Sequence, residues 1–365
     1  MIWNPFETLV PKKFLGIDIG TSFIKIVEIS KLGNRRKLEN YGEIESSALY
    51  EKPFRTLQKS TLFLSSKDIA KAITAVREEA NMKTFQAVFS IPDFSTFFTN
   101  FELPLMGKEE LPQAVRYQAR QLIPLPLAEI TLDWQLIEDR TSEDKKAGMK
   151  ILLVAVPNEV INQYQEIARL AKIEMVALEA EVFGLTRALI KDDEKEVVAI
   201  IDIGAQSTTC NIIDRKILKT SYSFDISSNE LTEVISKGVN VDYRKAESLK
   251  REYGIRPLDT IEEKIGQETR QVILPLVDLI LREIEKIFNN FFQAEKREVK
   301  KIVLAGGLAF MPGLSEYFAQ KFDKEIEVAN PFLNVFCPPI LEQRLKEMGP
   351  SYSIAVGMAL RELKI

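Results

Sequence analysis

The segment IDIG occurs twice in this chain. In FLGIDIGTSFIKIVEI (residues 14–29) and VVAIIDIGAQSTTCNII (residues 197–213), an apolar run leads into an Asp, a short Gly-containing turn and a second apolar run. Asp18 and Asp202 lie 202 − 18 = 184 positions apart. Solenoid repeats recur every ~20–50 residues, so this spacing predicts two similar half-molecules, each opened by the same β-hairpin. In the first hairpin, strands over 14–19 and 23–29 flank Gly20-Thr21-Ser22. A length of 365 residues, more than one core usually serves, agrees with two halves.

Between the hairpins the pattern changes twice. Residues 31–64 are polar and carry no clear period. Ser66 then precedes a helix running to residue 80, with Ile69, Ala72, Ile73 and Val76 on one face, and QAVFSIP (86–92) reads as a buried strand stopped by Pro92. Residues 93–178 read as strand, helix, strand, strand, helix, strand: FFTNFELP, a helix ended by IPLP, ITLDWQLI, KILLVAVP, a helix over 158–172 and a strand near Val176. That order suits a small α+β unit inserted into the first half. After the second hairpin come a strand at 217–224, helices over 228–237 and 242–253, and a long amphipathic helix over 266–296 that Pro275 should kink. KKIVLAGGLAF (300–310) is a strand running into Gly306-Gly307. A helix at 312–321, the strand IEVA and a terminal helix over 351–362 follow.

Composition excludes several kinds of chemistry. The chain has no His, which removes the commonest general base, the usual nucleophilic triads and most zinc sites. Its two cysteines are too few for a disulfide framework and fit a reducing cytoplasm; Cys210, in an apolar strand, reads as a small core residue. A net charge of −4 without a basic stripe argues against non-specific nucleic-acid binding. The opening MIWNPFETLV is not a secretory signal, and the longest apolar run, ILLVAV at 151–156, is far short of the ~20 residues of a spanning helix.

The paired hairpins carry the strongest chemical signal. A small-residue turn brings backbone N–H groups within reach of phosphate oxygens, and an Asp on the preceding strand can hold Mg²⁺ directly or through water. One such hairpin is usually only a turn; two, each opening a half, could face each other across a cleft. Gly306-Gly307 after a buried strand allows either backbone contact with a ligand or close helix–strand packing. Glu247 and Lys250, three apart on one helical face, form either a solvated ion pair or part of a site.

In this order, the two Asp-Gly hairpins, AESLKREYG and IVLAGGLAF resemble the actin-like ATPase superfamily that includes MreB and FtsA. The inserted unit, with RYQARQLIPLP, and the later VANPF are most similar to the PilM family of type IV pilus assembly proteins, a resemblance that spans nearly the whole chain. It implies an α/β fold of the duplicated, ribonuclease H-like actin type with an FtsA- or PilM-type subdomain 1C. The implied subdomains are 1A over 1–92 (completed by about 340–365), 1C over 93–180, 2A over 181–225 (completed by about 298–339) and 2B over 226–297.

The resemblance also implies ATP and Mg²⁺ as cofactors. Gly20, Thr21, Ser22 and Lys25 would meet the β- and γ-phosphates, with Gly204, Ala205, Gln206 and Ser207 as the second phosphate loop. Asp18 and Asp202 would hold Mg²⁺ through water, Glu247 and Lys250 would lie on the ribose and adenine side, and Gly306 and Gly307 at the adenosine. Glu181 matches the Glu of a hinge motif that orients the attacking water; Val182 replaces its Pro, so the charge is kept and the hinge differs. The implied role is a cytoplasmic scaffold peripheral to the inner membrane, binding ATP with at most weak hydrolysis. It would take the N-terminal cytoplasmic peptide of PilN between 1A and 1C, near the 93–105 strand and the 108–123 helix. Through that contact it would join other inner-membrane assembly proteins and the motor, reaching the membrane only through partners; self-association is left open. An FtsA-like polymerising division protein is the alternative, but IAVGMALRELKI reads as a packed helix rather than a basic membrane tail. A small-molecule kinase ranks last because no acceptor motif is evident.

Overall fold

The computed structural model describes residues 11–46, 57–58, 61–62, 65–139, 148–257 and 264–363. The first half begins with β1 (Lys12–Ile19), β2 (Phe23–Leu32) and β3 (Arg35–Glu45), then the short pair β4 (Leu57–Gln58) and β5 (Thr61–Leu62), α1 (Ser66–Glu79) and β6 (Gln86–Ile91). The insert supplies β7 (Phe97–Pro104), α2 (Leu111–Leu122), β8 (Ile130–Asp139) and β9 (Gly148–Pro157). The chain then returns through α3 (Asn158–Leu170) and β10 (Glu174–Ala180), and crosses to the second half along α4 (Glu181–Leu189). That half contains β11 (Val197–Ile203), β12 (Thr208–Asp214), β13 (Ile217–Phe224), α5 (Ser228–Val239), α6 (Tyr243–Tyr253), α7 (Lys264–Glu295), β14 (Lys301–Ala305), α8 (Leu314–Phe322) and β15 (Glu325–Val328). Finally α9 (Glu342–Leu360) brings the chain back to the first half.

The two halves have the same topology. The first sheet runs β10-β6-β1-β2-β3 and the second, read from its other edge, β15-β14-β11-β12-β13. In each, an antiparallel meander of three strands is extended by two parallel strands beyond the first. The central strands are apolar on both faces: Ile17 and Ile26 on one face and Val27 and Ile29 on the other are fully buried in the first sheet, and Ala199, Ile201 and Ile212 against Ile200 in the second. Helices on both faces require such runs, because neither face of the sheet meets water.

The insert is smaller than the 93–180 boundary predicts. Its own sheet, β7-β9-β8, closes around Val115 and Ala119 of α2. By contrast, β10 pairs in parallel with β6, and Tyr164 and Ile167 of α3 pack with Leu15 and Ile17 in the first core. Adjacency in sequence suggested one unit, but strand pairing divides it. β3 lies within the stretch that reads as patternless: only Leu38 on it is buried, as an edge strand with one wet side permits. The terminal helix starts at Glu342 and passes through Pro350 instead of beginning after it, and α7 is likewise continuous through Pro275. The N-cap of α1 is Ser65, whose hydroxyl accepts the Asp68 N–H. Among the described residues, no helix is long and apolar enough to cross a membrane.

Two helices join the halves, and they cross at glycines. A Cβ on Gly357 of α9 would lie 2.0 Å from the Gly184 carbonyl oxygen of α4, so no side chain fits there. Arg187 of α4 locks the crossing by donating to both carboxylate oxygens of Glu179, at 2.8 and 2.9 Å, and to the Gly357 carbonyl at 2.9 Å.

Candidate functional site

The two IDIG hairpins occupy the same place in their sheets and turn in the same way. In the first, Asp18 stands opposite Lys25 and Ile19 opposite Ile24; in the second, Asp202 stands opposite Thr209 and Ile203 opposite Thr208. Each turn closes with one backbone bond, Gly20 N–H to the Phe23 carbonyl and Gly204 N–H to the Ser207 carbonyl, both 3.0 Å. The turns face each other: the Thr21 hydroxyl donates to Gln206 Oε1 at 3.3 Å, across 185 positions of sequence. Between them lies a cleft with an enclosed volume of about 220 Å³. Every residue predicted for the site lines it except Lys250.

The floor of the cleft is acidic. Asp18, with only 4% of its surface exposed, accepts the Ser90 hydroxyl at 2.9 Å. Burial raises its pKa against the opposing pull of the Lys25 ammonium. Burial likewise pushes Asp202 up to about 6, with Asp18 adding to the rise and Lys25 opposing it. Glu181, the first residue of α4, is raised well above the ordinary carboxylate range by burial and by the charges of Asp93, Asp18 and Asp202. Asp93, buried just after β6, is pushed up to about 7 by burial, against bonds from Val182 and Asn211. Carboxylates held this way repel one another in the dry protein, and a cation among them would relieve the cost of ionising them. Among the described residues no three such ligands converge as a metal site. Asp18 and Asp202 are oxygen donors of the kind that Mg²⁺ takes, one or two at a time, while keeping its waters.

Gly306 and Gly307 both line the cleft but differ in what a side chain would meet. Gly306 has φ +84°, and a Cβ there would come within 2.4 Å of Asp202 Oδ1 and 2.5 Å of the Ile203 carbonyl, so it serves close packing beside the second Asp. Gly307 would meet nothing within 4 Å and lines the open cleft. Lys250 is not at the surface of the site. Its ammonium, 2% exposed, donates to the Ser228 carbonyl and hydroxyl and to Thr232 Oγ1, and pairs with Glu247 at 2.6 Å. Burial lowers its pKa. Burial works against the Glu247 charge too, but Lys250 outweighs it and holds that carboxylate down at about 2. Lys250 is thus the buried support of Glu247, which lines the cleft with Arg251 on its outer side at 2.8 Å. The helix opening α5 also belongs to the site: Ser228 N–H donates to the Gly204 carbonyl and Asn229 N–H to that of Ala205.

Several lining residues carried no signal in the sequence reading, among them Thr209, Asn229, Tyr243 and Arg251. Asp93 has no motif around it that marks a site. A weaker clue is present: QAVFSIPD is a third apolar strand that ends at an Asp.

Comparisons with known proteins bear on the family and the fold. Residues 16–363 match the family model described as type IV pilus assembly protein PilM. The cell division protein FtsA of Enterococcus faecalis is 22% identical over 348 residues, covering 87% of this chain and 78% of the relative; FtsA of Bacillus subtilis is 22% identical with the same coverage. Among solved structures, a PilM-PilN type IV pilus biogenesis complex superposes with TM-score 0.77 at 24% identity, over 96% of this chain and 98% of the other. The ethanolamine utilization protein EutJ of Carboxydothermus hydrogenoformans gives 0.58 at 14% identity, over 97% and 91%. An MreB of Spiroplasma citri bound to ADP gives 0.52 at 12% identity, over 96% and 97%. The fold is that of the actin-like ATPases.

Proposed function

The chain belongs to the PilM family of type IV pilus assembly proteins, and from that premise we propose that it is an ATP-binding scaffold of the pilus inner-membrane platform. The observation that carries the nucleotide part is the pair of identically registered Asp-Gly hairpins closing on one cleft. Turn amides from both halves suit the phosphates. Asp18 and Asp202 suit Mg²⁺, whose role would be to neutralise and orient them. Glu247 and Gly307 suit the nucleoside. In this reading ATP bridges the turns of the two halves and draws them together. Glu181 is the residue for positioning water; with Val182 in place of the hinge Pro, binding rather than rapid hydrolysis is the role we assign.

The partner we assign is the N-terminal cytoplasmic peptide of PilN, supported by the fold shared with a PilM-PilN complex. An extended peptide between the first sheet and the insert would gain main-chain hydrogen bonds and side-chain pockets. The insert touches the second half as well: Asn100 Nδ2 donates to the Lys219 carbonyl at 2.8 Å, and Lys150 pairs with Glu295 at 2.5 Å. A peptide held by the insert could therefore sense the angle between the halves. The protein would work at the cytoplasmic face, reaching the membrane through PilN and linked in turn to the motor. In subdomain terms, 1C is the 97–157 insert, and α3 and β10 belong with 1A.

Calorimetric titration of the purified chain with Mg-ATP, with and without the PilN peptide, tests this. Saturable binding of both is expected, with Asp18→Ala and Asp202→Ala each weakening Mg-ATP by ~10-fold or more. Absence of nucleotide binding in every condition would end the switch, and filament formation without peptide binding would favour the FtsA-like alternative.

A further inference from the structure

Helix α4 begins without a cap of its own. Its N-cap residue is Ala180, which has no side-chain acceptor for the first free N–H groups. That acceptor arrives from 89 positions upstream: the Val182 N–H donates to Asp93 Oδ1 at 3.1 Å. The favour is returned, since the Asp93 N–H donates to Glu181 Oε2 at 3.2 Å. Each residue thus binds the backbone of the other's segment, in the manner of a capping box built across the fold. The second oxygen of Asp93 looks toward the other half, where Asn211 on β12 donates its Nδ2 to Oδ2 at 3.2 Å. Asp93 itself is held in a tight turn, with the Ser95 hydroxyl at 2.8 Å from the Pro92 carbonyl.

One buried carboxylate therefore joins the end of the first sheet, the start of the connecting helix and the second sheet. The backbone N–H of the same residue holds the Glu181 side chain, which lines the cleft. We propose that Asp93 is a positioning residue: its carboxylate ties the second sheet to the start of α4, and that tie holds its own N–H where it fixes the Glu181 carboxylate, so that the orientation of Glu181 depends on how the halves close. The consequence for nucleotide rests on the reading that Glu181 faces phosphate and water; the tie itself does not.

The geometry distinguishes a hydrogen-bonding role from a role for charge alone. Asn211 Oδ1 is buried and has no partner. In Asp93→Asn, the new amide can still accept the Val182 N–H through its oxygen. Its nitrogen can donate to Asn211 Oδ1 once that amide turns over. Asp93→Ala removes both bonds, and Asn211→Leu removes the one to the second half while keeping the side-chain volume similar.

The test is hydrogen–deuterium exchange of the full-length protein, followed at the Val182 amide, together with Mg-ATP titration of each variant. Exchange at Val182 should rise ~10-fold or more in Asp93→Ala, while Asp93→Asn should retain most of the protection. Mg-ATP should bind more weakly to Asp93→Ala and to Asn211→Leu than to the parent, by ~5-fold or more. Should Asp93→Ala fail to fold, Asn211→Leu and Asp93→Asn carry the test. Two results overturn the proposal: Val182 protection unchanged in Asp93→Ala, or protection lost as completely in Asp93→Asn as in Asp93→Ala. If the parent protein binds no nucleotide, the functional reading fails while the exchange data still judge the tie.

Discussion

The first and second hairpins share a scaffold but not their chemistry. Both place an Asp one residue before the end of a buried strand and close the turn with the same backbone bond. Opposite the Asp, however, the first carries Lys25 and the second Thr209. Lys25 lies 5.8 Å from the Tyr352 ring of α9 and opposes the rise that burial imposes on both Asp18 and Asp202. The first half brings a cation to the cleft. The second brings neutral hydroxyl and amide groups at Ser207, Thr209 and Gln206, and the turn that leads into α5. Duplication kept what backbone geometry requires and let the facing side chains diverge, so that two copies of one motif form one asymmetric site.

That contrast can be broken at three points. The largest effect should come from Gly306→Val, which places a Cβ into Asp202 and the Ile203 carbonyl at a positive φ. A loss of ~3 kcal/mol or more in chemical denaturation is expected, whereas Gly307→Ala, with open space around it, should leave stability nearly unchanged. Next, Lys25→Met should weaken Mg-ATP binding by ~10-fold or more, as loss of a charged contact does. The matching change in the other hairpin, Thr209→Val, should cost less than ~3-fold; equal losses in a fluorescent-nucleotide titration would mean the hairpins are not differentiated as argued.

The smallest effect is on pH dependence. Asp93 and Asp202 have folded-state pKa values raised to about 7 and about 6 from 3.8. Their stabilising contribution is therefore full below pH ~4 and declines as pH rises through the folded values, since the unfolded chain ionises first. Glu247, held at about 2 against 4.5, works in the opposite sense and lower down, gaining stability as pH rises from ~2 to ~5. Thermal melts of the nucleotide-free protein should thus fall by a few degrees between pH 5 and pH 8 at constant ionic strength, on the order of 1–2 kcal/mol. Mg-ATP should reduce that fall, because a bound cation favours the ionised carboxylates. A flat or rising profile over that window would contradict the acidic floor described above.

Much of this was visible in the sequence because the information was local. Hairpins announce themselves through adjacent apolar runs and a Gly turn, and the AESLK pair through a spacing of three on one helical turn. What was lost depended on distant partners. The polar edge strand β3 takes its place from pairing with β2, and a bridge to Phe336 covers its outer side, with the Leu38 N–H donating to that carbonyl at 3.0 Å. The same is true of β10, assigned to the insert by proximity and to the first sheet by its partner β6. Lys250 was correctly joined to Glu247, but whether the pair faced water or a buried shelf of Ser228 and Thr232 depended on how α5 packs against α6.

The sequence by itself determined that there are two halves, that each opens with an Asp beside a tight turn, and that no imidazole is available to the site. Those are properties of residue type and spacing, which the chain carries before it folds. Only the tertiary structure decided that the two turns meet at Thr21 and Gln206, that Gly306 is packed against Asp202 while Gly307 has open space, and that Asp93 belongs with Glu181 and Asn211. A carboxylate such as Asp93 has no repeat or period to mark it in sequence. Its role arises from burial and from partners about ninety or more positions away, brought within hydrogen-bonding distance only when both sheets are in place.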